Sequence, residues 1–525
     1  MRTTAVALLL TGLIVGTASG QAAPEPEWLR ARLEKVRKRY DLPDLGAAIV
    51  GDGKVVAASA VGVRKYGTQV AVTRDDPFHL GSITKVMTAT LIGMLIDDGV
   101  LRWDTTMEQM FPELAMKPGY RQVTVLQLLS HTGGFPFNPS TPMERIIAAG
   151  SNTVERRYSY VRAAVADPPV ATPGTKVVYS GGPVVVIAYI ERKTKRIYED
   201  LMRERLFRPL GMTTAGIDDH MASEGKVDAP WGHRQSGGKT TPVAPDHHSP
   251  VNGLQPVGGA YCSMADLGKF LALHLKRDRL LKPETFRVLQ TAAAGGDFAP
   301  GWSTEHPGWA RGQVLAHSGS IGTHVAICWV VPEENYALCV GTNAAGEPRA
   351  DEALGDLHRY LTSRVHLGEN AHPTDRPVPP KPDVWLDDLR PTRATVGFGK
   401  FQVRKTGEGQ PLVLDGDVYA RGLGVHASSE VCYDLKPKYH RFVARVGPEE
   451  RASWRASVVA QVYLDGKLVD ESPLLHAGDA PWNVDVAIPT RRAPRQLRLV
   501  ITDGGDGINS DWADWVDAGF VTGGR

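Results

Sequence analysis

The chain has 525 residues, 42% of them hydrophobic, with 60 Lys and Arg against 58 Asp and Glu. That length exceeds what one hydrophobic core supports and the apolar fraction sets disorder aside, so at least two globular domains are expected. A near-zero net charge without a long basic block excludes a nucleic-acid or membrane-surface patch and leaves small or neutral partners.

Residues 1–20 carry one positive charge at Arg2, an apolar run over 5–15, and the small residues Ala18 and Gly20 before Gln21. This is the pattern of a cleaved secretory signal peptide, and it predicts a mature protein that is secreted or periplasmic. The run is too short for a membrane span, and no later segment approaches the roughly 20 apolar residues a span needs. No cysteine follows the run, so no lipid anchor is expected.

Residues 45–50 and 55–61 flank Gly51, Asp52 and Gly53 and read as a β-hairpin. The next periodic stretch begins near Ser82, where Val86, Met87, Leu91, Met94 and Leu95 recur at helical spacing and Gly99 is a natural stop. Ser82 and Lys85 stand three apart at the helix start, so their side chains share one face. A serine hydroxyl is a poor nucleophile until a base takes its proton, and a lysine whose pKa is lowered by burial does that. The Ser82 N–H is among those a helix start leaves without an intrahelical partner, free to face a developing oxyanion. Taken alone, the pair reads equally as an exposed polar first turn, because S-x-x-K also arises by chance.

Further along, Thr124 to Gln127 fits a capping box before the loop Ser130-His131-Thr132-Gly133-Gly134. Residues 173–180 approach Tyr179 in extended form, and Gly181-Gly182-Pro183 opens an apolar helix over 184–190. Ser263 opens another helix, running to Leu275. His317-Ser318-Gly319 lies on a strand ahead of two more, 324–331 and 336–342, which place Cys328 opposite Cys339 if Val331 pairs with Tyr336. That leaves a cross-strand disulfide and two free thiols both open. A helix over 351–365 closes the domain, and strands at both ends with helices between imply an α/β sandwich around an antiparallel sheet. Residues 369–382, with four prolines between Pro377 and Pro382, read as an extended linker. The domains are then 24–368 and 383–525. The C-terminal one reads as all-β, with alternating stretches at 458–464, 482–488 and 496–502.

Phe78-His79-Leu80-Gly81-Ser82, the Ser82/Lys85 pair, the 129–134 loop, the segment through Tyr179, Arg205 to Met212, and His317-Ser318-Gly319 occur in one order. Together they resemble the serine hydrolases related to class C β-lactamases, penicillin-binding DD-peptidases and family VIII esterases, over about 45–361. The resemblance implies a transpeptidase-like antiparallel sheet flanked by helices. It also implies Ser82 as nucleophile, Lys85 and Tyr179 as the proton-transfer pair, and the N–H groups of Ser82 and Ser320 as oxyanion hole. His317, Ser318 and Gly319 would line the substrate, with His317 where relatives carry Lys or His. A protonated His317, titrating near 6.5, would help Lys85 to stabilise a Tyr179 phenolate. The second motif of such enzymes reads Tyr-x-Asn, whereas this chain has Gly181 in the Asn position. A side-chain amide for an acylamide is thereby missing and room for a bulkier acyl group is expected, which favours general ester or amide hydrolysis over antibiotic resistance. His131, His247 and His248 lack metal-ligand spacing, so no catalytic cofactor is expected, and His79 reads as packing.

Trp385-Leu386-Asp387-Asp388-Leu389, Gly422 to Ala427, Thr502 to Gly507 and Asp511 to Trp515 resemble the NPCBM family of carbohydrate-binding type. That implies an all-β galactose-binding-like jelly-roll sandwich and a glycan or cell-wall polysaccharide as partner. Trp385, Trp482, Trp512 and Trp515 are candidate sugar platforms, with Asp503, Asp506, Asn509, Asp511 and Asp514 for hydroxyls; tryptophans equally serve as core, and Asp-Gly runs as turns. Asp503, Asp506 and Asp511 are also candidates for a structural Ca²⁺. The sequence thus favours an active serine hydrolase tethered to glycan, and the missing asparagine leaves a binding protein without turnover as the alternative.

Overall fold

The computed structural model describes residues 24–217, 221–223, 225–245, 253–367, 376–452, 456–505 and 507–523. The expected signal segment, residue 368, residues 369–375 of the expected linker, His247, His248 and Asp506 lie outside the described residues. The described residues fall into two compact units that divide at Asp356.

In the first unit, helix α1 (Glu27–Arg39) buries Leu29, Leu33 and Val36, a stripe at helical spacing. It leads into strands β1 (Asp44–Gly51) and β2 (Lys54–Gly62). Asp52 and Gly53 between them both adopt positive φ, as a two-residue hairpin turn requires. Helix α2 (Thr84–Asp97) follows a 3₁₀ turn, Gly81–Ile83, so Ser82 sits just ahead of the α-helix and not within its first turn. Every residue of α2 from Thr84 to Leu95 is buried, which makes it the central helix of the core.

Helix α3 (Val125–Leu129) carries the expected capping box, with Thr124 and Gln127 bonding each other's backbone N–H. Helices α4 (Thr153–Ala166), α5 (Gly182–Thr194), the short α6 (Gln255–Gly258) and α7 (Met264–Lys276) follow. Ser263 caps α7 through the Asp266 N–H. The chain then returns to the sheet as β3 (Phe298–Ala299), β4 (Trp302–Glu305), β5 (Val314–Ser320), β6 (Val325–Val331) and β7 (Tyr336–Thr342). Helix α8 (Pro348–Leu367) comes after them, and the division at Asp356 falls within it. The strands order as β2-β1-β7-β6-β5-β4-β3 with antiparallel pairing throughout. The N-terminal hairpin thus closes onto the last strand. Cys328 stands opposite Cys339 in the expected register, and both are free thiols. Their sulfurs face different carbonyls, those of His317 and Met264.

The second unit is the expected β-sandwich. One sheet orders Gln402–Val403, Gly422–His426, Trp512–Val521, Arg441–Pro448 and Trp482–Ala487. The other orders Arg393–Thr395, Ser429–Asp434, Gln496–Thr502, Ser457–Leu464 and Lys467–Glu471. Alternate residues of each meet in the core, Val425, Phe442 and Trp515 from the first and Val431, Val462 and Leu499 from the second. Residues 376–382, expected to be free spacer, are attached to this sandwich. Arg376 donates to the Asp470 carboxylate at 2.7 Å and its carbonyl accepts from Asn483 at 3.0 Å, while the Asp383 N–H reaches Phe520 O at 2.9 Å. Among the described residues no helix is long and apolar enough to cross a membrane.

Candidate active site

The turn that carries Ser82 is shaped by glycine. Gly81 has φ +47°, and a Cβ there would lie 2.5 Å from the amide nitrogen of Ser320. A Cβ on Gly319 would lie 2.0 Å from Leu80 O and 2.6 Å from the Ser82 nitrogen. Two glycines therefore let the turn and strand β5 touch backbone to backbone, and that contact sets the Ser82 and Ser320 amides beside one another. Thr84 locks the turn from within, since its hydroxyl donates to Gly81 O at 2.6 Å and accepts the Ala260 N–H at 2.9 Å. His79 does more than pack: its Nδ1 accepts the Gly81 N–H at 3.1 Å.

Lys85, one helical turn on, is 2% exposed. Its Nζ donates to Ser82 Oγ at 3.0 Å and to Val257 O, on α6, at 2.8 Å. Burial alone lowers its ammonium from 10.5 to about 7, so the free amine is populated at neutral pH. The same Nζ lies 4.6 Å from the centre of the Tyr179 ring. Burial raises the Tyr179 phenol to about 12, against a smaller opposing effect of its hydrogen bond with Ser82. The phenol thus keeps its proton, and the group placed to accept one is the lysine.

His317 lies on β5 with its ring 6.3 Å from that of Tyr179 and its Nδ1 2.6 Å from Ser318 O. The expectation that it carries charge is corrected here: burial first, and then the Lys85 ammonium, lower it to about 4. It is neutral across the useful pH range and does not stabilise a phenolate by charge. The side chains of Ser318 and Ser320 are exposed on the same strand.

Gly181 is the N-cap residue of α5, two positions after Tyr179, and here too the structure corrects an expectation. A Cβ on Gly181 would lie 2.2 Å from the Tyr160 hydroxyl, so the absent side chain opens no extra room. Tyr160, from α4, fills that space and is buried. His131, which matches no ligand spacing in the sequence, holds the Tyr179 segment. It takes positive φ, accepts the Ser180 N–H on Nδ1 at 3.2 Å and the Val178 N–H on its carbonyl at 2.7 Å, and sets its ring 4.6 Å from Tyr179.

In the second unit the four tryptophans have different surroundings. Trp515 is core, 1% exposed. Trp385 and Trp482 are half-buried under the guanidinium groups of Arg421 and Arg376, at 4.6 and 4.2 Å. Trp512 packs edge to face with His426 at 4.5 Å and with the exposed Phe398 at 5.9 Å. Asp511 accepts the Ser457 N–H and Asp503 the Gly505 N–H. Asp514 is wholly buried and Asn509 exposed. Among the described residues no three His, Cys, Asp or Glu side chains gather to hold a metal ion.

An antiparallel sheet backed by a buried central helix, with a serine and a desolvated lysine at that helix's start, is the architecture of an acyl-transferring serine hydrolase. The chain belongs to the Beta-lactamase family, whose model matches residues 29–362, and carries an NPCBM/NEW2 domain over 382–521. It is 29% identical to Penicillin-binding protein 4 of Amycolatopsis lactamdurans over 66% of this chain and 93% of that protein. It is 22% identical to the D-alanyl-D-alanine-carboxypeptidase/endopeptidase AmpH of Escherichia coli K12, over 64% of this chain and 89% of that one. Among solved structures, a penicillin-binding protein homologue from Pyrococcus abyssi aligns with TM-score 0.53 at 21% identity, covering 90% of this chain and 99% of its own. The protein is a serine hydrolase with a carbohydrate-binding-type module.

Proposed function

We propose that this hydrolase is secreted, cleaves an ester or amide through an acyl-enzyme on Ser82, and is held to glycan by its C-terminal module. The observation that carries the reading is the 3.0 Å contact between Lys85 Nζ and Ser82 Oγ, made by a lysine that burial brings to about 7. Neutral Lys85 takes the Ser82 proton as Oγ bonds to the substrate carbonyl carbon, and the negative charge moves onto the carbonyl oxygen. The N–H groups of Ser82 and Ser320 receive that oxyanion. Tyr179, still protonated, gives its proton to the leaving oxygen or nitrogen as the scissile bond breaks, and the Lys85 ammonium returns a proton to Tyr179. Water then repeats the sequence on the acyl-enzyme and releases the acid. The NPCBM domain and the apolar, positively flanked start of the chain support the extracellular, glycan-held setting.

A fluorophosphonate probe should label the intact protein on the peptide containing Ser82, and Ser82→Ala should lose the label and ester turnover together. A wild-type protein that is folded and binds polysaccharide, yet is never labelled at Ser82, would sink the enzyme reading and leave glycan binding alone.

A further inference from the structure

The rings around Tyr179 form a wall that proton transfer does not use. Phe137 is 56% exposed and lies nearly parallel to the Tyr179 ring, at 6.0 Å and 18°. Phe298 stands edge-on to both Tyr179 and His317, at 6.4 Å from each. An exposed phenylalanine stacked on a reacting tyrosine gains from being covered by an apolar group, and flat groups satisfy such a wall best. The floor beside Tyr179 is shut. At Gly181 the Tyr160 hydroxyl occupies the space a side chain would take, so neither an amide donor nor extra volume is on offer there.

We infer that the enzyme acts on esters or amides bearing an aryl group beside the scissile carbonyl, with Phe137 selecting that group. This rests on the Ser82 reading above. The chemistry is the hydrolysis already written; what is new is the side group that the site selects.

The test compares kcat/KM, each normalised to the hydroxide-catalysed rate, for ethyl phenylacetate against ethyl acetate and for benzyl acetate against ethyl acetate. Wild type should prefer the aryl member of the first or second pair by about tenfold or more. Phe137→Ala should bring the aryl ratio to within about threefold of unity, while Phe137→Tyr retains most of it. Which pair responds tells on which side of the carbonyl the aryl group lies. An aryl ratio near one in wild type, or an aryl ratio untouched by Phe137→Ala, would each overturn the inference. Ser82 labelling separates the two levels: a labelled enzyme without aryl preference loses this inference alone, whereas an enzyme neither labelled nor active loses the reading beneath it.

Discussion

Lys85 is buried at the cost of stability, and the sign of that cost can be worked out. Its ammonium titrates near 7 when folded and near 10.5 when free, so between those values the unfolded chain binds more protons and stability rises with pH. Below about pH 7 the penalty is present in full. Replacing Lys85 with methionine should abolish turnover yet raise the melting temperature at pH 6, by about 2–4 °C for each kcal/mol regained, with the gap closing as pH climbs toward 10. Thermal melts of both proteins across that range check it; a variant that melts below wild type at pH 6 would mean that the bonds to Ser82 and Val257 outweigh desolvation. In wild type, kcat/KM for a neutral ester should rise through about pH 7 as the amine becomes free. At this scale the sequence was legible where chemistry dictates residue type and spacing, as for Ser82, Lys85 and Tyr179. It was not legible where burial decides: nothing in His317-Ser318-Gly319 reveals that the imidazole is desolvated. Nor does a histidine that accepts a backbone N–H, as His79 and His131 do, leave any pattern to read.

Among the elements, the short helix α6 matters beyond its four residues, because its Val257 carbonyl holds Lys85. It is held in turn by two devices. Thr88, on α2 one turn past Lys85, donates to Pro256 O at 2.7 Å and bonds the Tyr198 hydroxyl at 2.8 Å. Arg157, fully buried on α4, donates to Gln255 at 3.1 Å and pairs with Glu191 and Glu199. Removing Arg157 would strand two carboxylates and threaten the fold. Thr88→Val is the cleaner probe: it should cost about 1–3 kcal/mol by leaving Pro256 O unsatisfied. It should also lower kcat with little change in KM and displace the pH midpoint of activity, because the lysine loses its fixed acceptor. A variant destabilised by that amount with an unchanged pH profile would show Thr88 to be structural only. Capped helices and alternating strands were legible because local bonding and periodicity specify them. The α6 segment was not, since four residues of Gln-Pro-Val-Gly carry no periodicity and are fixed by distant partners. The 3₁₀ turn at Ser82 was missed for a similar reason, its form being imposed by the strand packed against Gly81.

For the molecule as a whole, the second unit should fold on its own, but where it starts matters. The break in composition pointed to residue 383, because a proline run resembles spacer whether or not it is anchored, and the anchoring contacts come from Asp470 and Asn483, about a hundred residues away in sequence. A fragment 376–525 should be more stable in urea than a fragment 383–525 by about 1–2 kcal/mol, since only the longer one keeps the Arg376 bonds. Both should be retained on insoluble polysaccharide if the glycan reading holds. Equal midpoints would show that the Arg376 contacts are too solvated to count. In the first unit, the contact between Gly81 and Gly319 bears on how this enzyme can change. Both proposed oxyanion donors belong to main chain pressed against main chain, so no side-chain replacement at the rim can dislodge them, whereas a single methyl at either glycine would pry them apart. Laboratory evolution toward new substrates should therefore recover changes at exposed positions such as Phe137, Ser318 and Ser320, and essentially none at this seam. The site combines an adaptable mouth with an immutable hinge-pin.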